Sequence, residues 1–141
     1  MVVDDDPSAL LAMRRLIEYW GYVPLPYSRF EEARDALTAD PPDALVVDVR
    51  LGLFNGLQLV LLAKQVRPDM TVIAVSGFDD SVLKAEATRA GAAYLVKPLD
   101  LPKLHGYLAA RDEPSSSADT QIPIAAPITS QAISVDEGKR E

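Results

Sequence analysis

The chain has 141 residues, of which 48% are hydrophobic, and its formal net charge is −7. This length fits one domain with a buried core, and the acidic balance argues against nonspecific binding to nucleic acid or to a membrane surface. The lack of cysteine excludes disulfides and thiolate catalysis, and no apolar run approaches the roughly 20 residues of a membrane span, so we expect a cytoplasmic protein.

Short runs rich in valine, isoleucine and leucine alternate with stretches of helical periodicity, which is typical of βα units around a parallel sheet. Two prolines in the segment 22–27 cannot donate ladder hydrogen bonds, so this strand is predicted at an edge of the sheet. That position favours an α/β flavodoxin-like (βα)5 three-layer sandwich with the strand order 2-1-3-4-5. The predicted strands cover residues 1–3, 22–27, 44–47, 70–75 and 94–96.

Capping residues, prolines and glycines set the limits of the predicted helices. Asp6 followed by Pro7 indicates a helix start. Ser28 and Glu31 have the spacing of a capping box, in which each side chain bonds a backbone N–H of the other residue. Gly91 is expected to close the fourth helix. The five helices are expected over residues 7–20, 28–39, 56–66, 81–90 and 102–110.

The composition changes after Asp112. Residues 113–141 contain three prolines and no aromatic side chain, which indicates a linker or a disordered extension and not an output domain. The predicted organisation is therefore one folded domain over residues 1–112, which either stands alone or belongs to a larger protein.

Four of the predicted strands end at residues that can bind a cation or a phosphoryl group. Asp4 and Asp5 follow the first strand, Asp48 the third, Ser76 the fourth and Lys97 the fifth. Because parallel strands place their carboxyl ends at one edge of the sheet, we expect these side chains to converge. Neighbouring carboxylates repel unless a cation intervenes, and oxygen ligands suit Mg²⁺. Taken singly, each residue also has an ordinary explanation as a helix cap, a turn residue or a solvated lysine.

The joint spacing of these residues resembles the receiver domain of bacterial two-component response regulators, the CheY-like superfamily. The resemblance runs from Met1 to about Arg111. It includes Gly56, eight residues after the central acid, and the strand end Tyr94–Pro98, where a cis peptide is expected before the proline. Gly52 stands where the family usually has proline, which predicts a more mobile loop.

The resemblance implies a phosphoryl-accepting centre with a magnesium ion. Asp48 would accept the phosphoryl group from a phosphohistidine of a sensor histidine kinase or a histidine phosphotransferase. Asp4 and Asp5 would bind Mg²⁺ together with Asp48 and the backbone carbonyl of Arg50. The chain would then be a phosphoryl acceptor with intrinsic autodephosphorylation and not an enzyme in the usual sense.

The same resemblance implies how the domain would respond to the phosphoryl group. Ser76 would bond a phosphoryl oxygen, Lys97 would pair with the modified aspartate, and Tyr94 would act as an aromatic switch that turns inward. The switched surface would be formed by the fourth helix, the fifth strand and the fifth helix, where a downstream protein or a second copy of the chain could bind. Arg50 and Phe78 occupy the two positions that tune water access to the acyl phosphate in the family.

Two other interpretations stay open from the sequence. A phosphatase of the haloacid dehalogenase type also forms an acyl phosphate on a strand-end aspartate. It typically needs a second aspartate two residues later, where this chain has Arg50. A pseudo-receiver would bind proteins without taking phosphate, and the complete set of acids, Ser76 and Lys97 argues against it.

Overall fold

The computed structural model of the chain describes residues 1–112, so the predicted tail over 113–141 lies outside the described residues. The strands are β1 Val2–Val3, β2 Pro26–Tyr27, β3 Ala44–Asp48, β4 Arg50–Leu51, β5 Phe54–Asn55, β6 Thr71–Ser76 and β7 Ala93–Val96. The helices are α1 Pro7–Tyr19, α2 Phe30–Ala39, α3 Leu57–Val66, α4 Ser81–Arg89 and α5 Leu101–Asp112. Within this range, no helix has both the length and the apolar character needed to cross a bilayer.

Five of the strands form one parallel sheet in the order β2-β1-β3-β6-β7. This arrangement confirms the predicted fold class and the predicted 2-1-3-4-5 order. The proline-containing strand β2 lies at the edge, and only Pro26–Tyr27 pair with β1, a shorter strand than the segment 22–27 suggested. The centre of the sheet is the five-pair ladder between β3 and β6, which places Asp48 beside Val75.

Alternate side chains of the central strands pack into two separate apolar clusters, one on each face of the sheet. Val47 belongs to the cluster covered by α2, α3 and α4, whereas its neighbour Val46 belongs to the cluster covered by α1 and α5. The period of two along a strand produces this division. Leu45 and Leu59 are completely buried, and full burial of such a side chain contributes roughly 1.5–3 kcal/mol. The three layers hold the strand ends in fixed positions.

An aromatic stack also joins α1 to α5. Trp20, which ends α1, lies parallel to the ring of His105 on α5, with 4.5 Å between the ring centroids and 7° between the planes. His105 is half-buried. Stacked rings of this kind add to the stability that burial of their area already gives.

The predicted cap of α1 is present. The side chain of Asp6 accepts a hydrogen bond of 3.0 Å from the N–H of Ser8, and Pro7 is the first helical residue. A second cap of the same kind begins α4, where Asp80 accepts from the N–H groups of Val82 and Leu83. Both helices therefore start at the carboxyl edge of the sheet with their first donors satisfied.

The predicted capping box of α2 is wrong. Arg29, not Ser28, is the N-cap, and within residues 1–112 no side chain hydrogen-bonds this helix start. Phe30 explains the difference, because it is the first helical residue, is buried, and stacks on Phe54 with 4.5 Å between ring centroids. Packing of this ring accounts for where the helix begins, and Ser28 and Glu31 form no capping box.

The loop predicted after β3 contains a second, two-stranded sheet. Strands β4 and β5 pair in antiparallel fashion around the two-residue turn Gly52-Leu53. Gly52 has φ +60°, which matches the first central position of a type II′ turn, where glycine is favoured. Proline cannot adopt this φ, so the hairpin needs a residue other than the family's usual one. The mobility expected for this loop stays a prediction.

Candidate functional site

The three predicted acids meet at the carboxyl edge of the sheet. Asp4 and Asp5 follow β1, Asp48 ends β3, and one carboxylate oxygen from each lies within 4.8 Å of the others. The pairing of β1 with β3, which sets Val3 beside Val47, brings them together. Asp4 is buried, Asp48 is half-buried and Asp5 is exposed, so the cluster opens to solvent on the side of Asp5.

Lys97 reaches this cluster from the end of β7. Its Nζ lies 3.1 Å from Oδ2 of Asp48 and 3.4 Å from Oδ2 of Asp4. The peptide bond between Lys97 and Pro98 is cis, as predicted. The amine therefore bridges two carboxylates that would otherwise repel each other. Lys97 and Asp4 are 93 residues apart in the sequence.

The protonation of the cluster reflects its burial. Burial raises the pKa of Asp4 above its ordinary value, although the N–H of Asp6 and the charge of Lys97 act in the opposite direction. For Lys97, burial alone would lower the pKa, but the hydrogen bond to Asp48 and the charges of both acids raise it overall. Lys97 thus stays a cation, and Asp4 ionises less readily than an exposed aspartate.

Backbone N–H groups hold all three carboxylates in place. The donors are Asp6 to Asp4 at 3.0 Å, Arg50 to Asp48 at 2.9 Å and Gly52 to Asp5 at 2.9 Å. Hydrogen bonds to a charged acceptor are stronger than neutral ones. The hydrogen bond from Gly52 to Asp5 was not predicted. The sequence contained a signal for it, because Gly52 replaces the family's usual proline, which has no N–H to donate.

Ser76 and Tyr94 are connected through one residue. Ser76, at the end of β6, is buried, and its Oγ accepts a hydrogen bond of 3.1 Å from the N–H of Phe78. The hydroxyl of Tyr94 donates to the carbonyl oxygen of the same Phe78 at 2.7 Å. The backbone of Phe78 therefore links the two predicted switch residues, which sequence reasoning did not anticipate.

Arg50 and Phe78 lie in contact over the mouth of the site. The guanidinium carbon of Arg50 lies 4.5 Å from the centroid of the Phe78 ring, a cation–π arrangement. Sequence reasoning selected both residues without placing them together. Their contact ties the hairpin after β3 to the loop between β6 and α4.

The donor set fits a magnesium ion. An octahedral ion with ligands at about 2.1 Å needs adjacent oxygens roughly 3 Å apart and opposite oxygens roughly 4.2 Å apart. The three carboxylate oxygens lie within 4.8 Å of one another, so they would close by at most roughly 1.8 Å to bind the ion. All the side-chain donors are hard oxygen atoms, and Asp5 leaves a solvent-facing side where water ligands could complete the shell. A softer metal would need histidine or cysteine ligands, which this cluster does not offer.

A cavity of about 540 Å³ opens beside the acids, between α1 and the segment that joins β7 to α5. Asp4, Asp48 and Lys97 line one end of it, and apolar side chains, including Met13 and Leu101, line the rest. The cavity makes the acids accessible from this side of the domain.

A parallel α/β sheet with acids at the reversal of its strand order, two of them bridged by a lysine, is typical of proteins that bind their ligands at this edge. The family model of the response regulator receiver domain matches residues 1–109, and the chain belongs to this family. Receiver domains are phosphoryl acceptors of two-component signalling, bind Mg²⁺ at an acidic pocket, and interact with histidine kinases or phosphotransferases.

Curated relatives agree with this assignment. The chain is 32% identical to the photosynthetic apparatus regulatory protein RegA of Cereibacter sphaeroides over 80% of its length, and 33% identical to the transcriptional regulatory protein ZraR of Salmonella typhimurium over 77%. It is 31% identical to the response regulator MprA of Mycobacterium bovis over 85%. These alignments span 62%, 25% and 54% of the three relatives, so the chain corresponds to only part of each.

Solved structures share the fold. A response regulator receiver domain protein (CheY-like) from Methanospirillum hungatei is 26% identical, with a TM-score of 0.72 over 79% of this chain and 93% of that one. A response regulator from Burkholderia pseudomallei, solved with a phosphorylated aspartic acid, a calcium ion and citrate, is also 26% identical. Its TM-score is 0.70 over 76% of this chain and 64% of that one.

Proposed function

We propose that Asp48 accepts a phosphoryl group from a phosphohistidine of a sensor histidine kinase or a histidine phosphotransferase. The observation that carries this proposal is the convergence of three carboxylates within 4.8 Å, with Lys97 bridging Asp48 and Asp4. The phosphorylated aspartic acid in the Burkholderia pseudomallei response regulator supports it.

We expect Asp4, Asp5 and Asp48 to hold Mg²⁺, with the backbone carbonyl of Arg50 as a further oxygen ligand. When bound, the ion supplies positive charge that offsets the charge of the incoming phosphoryl group. The chain's own residues prepare this position, because backbone N–H groups fix the orientation of each carboxylate before any ligand arrives.

In the transfer itself, a carboxylate oxygen of Asp48 forms a bond to phosphorus as the bond from phosphorus to the donor's imidazole nitrogen breaks. The electron pair of the broken bond stays on that nitrogen. Lys97 lies within hydrogen-bond distance of Asp48 and can turn to the phosphoryl oxygens, where its charge stabilises the transition state. The chain contributes mainly positioning and electrostatics.

The proposed response to phosphorylation runs through Phe78. Ser76 Oγ accepts a hydrogen bond from the N–H of Phe78, and its hydroxyl proton can still be donated to a phosphoryl oxygen. If Ser76 moves towards that oxygen, this bond would pull the backbone of Phe78 with it, and loss of the Phe78 carbonyl as acceptor would free Tyr94 to turn inward. The surface of α4, β7 and α5 would change in consequence, and we propose it as the contact for a downstream protein or for a homodimer.

A direct test uses acetyl phosphate with Mg²⁺ and the intact mass of the protein. The wild type should gain the mass of one phosphoryl group, and Asp48→Ala should gain none. Omission of Mg²⁺ should slow the reaction strongly. A wild type that stays unmodified at millimolar Mg²⁺ would favour the pseudo-receiver interpretation.

A further inference from the structure

The three acids of the cluster differ in what holds them in place. The donors to Asp4 and Asp48 lie two residues further along the chain, so local turns set the positions of these two carboxylates. The donor to Asp5 is the N–H of Gly52, which is 47 residues away in the sequence. Asp5 is also the exposed member of the cluster. Its orientation therefore depends on where the hairpin of β4 and β5 lies.

Three side chains of the hairpin pack against other elements of the domain. Leu51 is buried in the apolar cluster covered by α2, α3 and α4. The guanidinium carbon of Arg50 lies 4.5 Å from the centroid of the Phe78 ring. The ring of Phe54 stacks on the ring of Phe30, at the start of α2, with 10° between the two planes. This aromatic stack joins β5 to a helix that carries no residue of the acidic cluster.

The position of Phe54 is transmitted directly to Gly52. Phe54 pairs with Leu51, the residue before Gly52, and only Leu53 separates Phe54 from Gly52 in the turn. The two strands of the hairpin have two residues each, and an isolated two-stranded hairpin is at best marginally stable in water. The hairpin therefore depends on side-chain packing to keep its place, and movement of the Phe54 ring shifts the N–H that bonds Asp5.

The hydrogen bond from Gly52 matters for metal binding because it orients a ligand. A carboxylate has two oxygens, so Asp5 can accept this bond at Oδ2 and still offer an oxygen to an ion. Hydrogen-bond partners of this kind fix the orientation of a metal ligand, and their loss commonly weakens metal binding. When the hairpin moves away, Asp5 keeps its charge but loses its fixed direction.

We propose that Phe54, through its stack on Phe30, is a positioning residue for the metal site. It holds the hairpin so that Gly52 orients Asp5 towards the ion. This inference rests on the proposed function, since it assumes that the three acids hold Mg²⁺. It adds that helix α2, through an aromatic contact outside the acidic cluster, sets how tightly the ion is held.

The test compares Phe54→Ala, which removes the ring, with two other variants. Phe54→Tyr keeps a ring that can stack and is the conservative rescue. Leu11→Ala, on α1 at the other face of the sheet from α2, is the matched control, because Leu11 is 42% exposed and Phe54 is 41% exposed. The Kd for Mg²⁺ is measured by calorimetric titration. The exchange of the Gly52 and Asp6 amide protons with water is measured by NMR without Mg²⁺.

We expect Phe54→Ala to weaken Mg²⁺ binding by about 2- to 10-fold, the range that corresponds to the contribution of one aromatic pair. Exchange of the Gly52 amide should become faster in this variant. The amide of Asp6, which bonds Asp4, should keep its wild-type rate, whereas a general loss of stability would make both amides exchange faster. Phe54→Tyr and Leu11→Ala should match the wild type in both measurements.

The inference is overturned if Phe54→Ala binds Mg²⁺ as tightly as the wild type, or if Leu11→Ala weakens binding equally. It is also overturned if exchange of the Gly52 amide is unchanged, or if the amides of Gly52 and Asp6 become faster together. A wild type that binds no Mg²⁺ at millimolar concentration would instead overturn the proposed metal site on which the inference rests.

Discussion

Gly56 provides a sharp test of how closely the chain packs around the phosphoryl acceptor. Its φ of −60° is open to any residue, so space alone requires glycine here. A Cβ atom at this position would overlap the carbonyl oxygen of Asp48, and it would lie 3.0 Å from the carbonyl carbon of Asp48 and 3.1 Å from Cγ2 of Val47. Non-bonded heavy atoms are most stable at about 3.5–4.0 Å, so the backbone of Asp48 must move.

The substitution Gly56→Ala should therefore affect both stability and reaction. Overpacking of this kind typically costs about 1–3 kcal/mol, and a displaced acceptor should slow phosphorylation by acetyl phosphate about 10- to 100-fold. The free energy of unfolding is measured by urea denaturation, and the rate by intact mass. Gly106→Ala is the matched control, because no other heavy atom of the described residues lies within 4 Å of its added Cβ and it lies inside α5.

We expect the control variant to gain about 0.5–1 kcal/mol from the better helix propensity of alanine and to react at the wild-type rate. The steric reasoning is refuted if Gly56→Ala is as stable as the wild type and is phosphorylated equally fast.

Three further predictions concern the mouth of the site and the metal. Phe78→Glu removes the ring under Arg50 and should shorten the acyl-phosphate lifetime by about two- to fivefold, which is the rate change that corresponds to the free energy of one cation–π contact. A longer lifetime of the variant in a phosphate-release assay would contradict this prediction. Because the pKa of Asp4 is raised, protons compete with Mg²⁺ at Asp4 from a higher pH than at an ordinary aspartate. Calorimetric titration should show that the Mg²⁺ affinity falls as the pH drops towards the raised pKa of Asp4. An affinity that does not change until the pH reaches the pKa of an ordinary aspartate would refute this prediction. Gly52→Pro removes both the positive φ and the N–H that bonds Asp5, so it should lower the free energy of unfolding by about 1–3 kcal/mol. We expect this loss although the family usually has proline at this position. An unchanged urea denaturation curve would show that the hairpin contributes nothing to stability.

The fold was predictable because its signals are repeated and local. Five apolar runs alternate with helical patterns, and the prolines of segment 22–27 placed one strand at the edge. Asp6 with Pro7 gave the start of α1 correctly. The convergence of the acids with Lys97 followed from the geometry of parallel strands, since every strand end lies at one edge.

The missed features depend on contacts that have no sequence period. The strands of the hairpin are two residues long, too short to show alternation, so only Gly52 marked the turn. The start of α2 follows from the stacking of Phe30 on Phe54, which joins residues 24 positions apart. The double role of Phe78, which bonds both Ser76 and Tyr94 through its backbone, is independent of its side-chain identity and leaves no trace in the sequence.

The stack of Trp20 on His105 gives this protein a built-in optical probe. The chain has one tryptophan and one histidine, and their rings lie face to face at the end of α1 that is remote from the acids. Helix α1 has 13 residues and spans about 20 Å, so the indole lies far from any phosphoryl group on Asp48. A change in its fluorescence emission on activation would show that the signal reaches the seam between α1 and α5, and constant emission would confine the response to the opposite end of the domain.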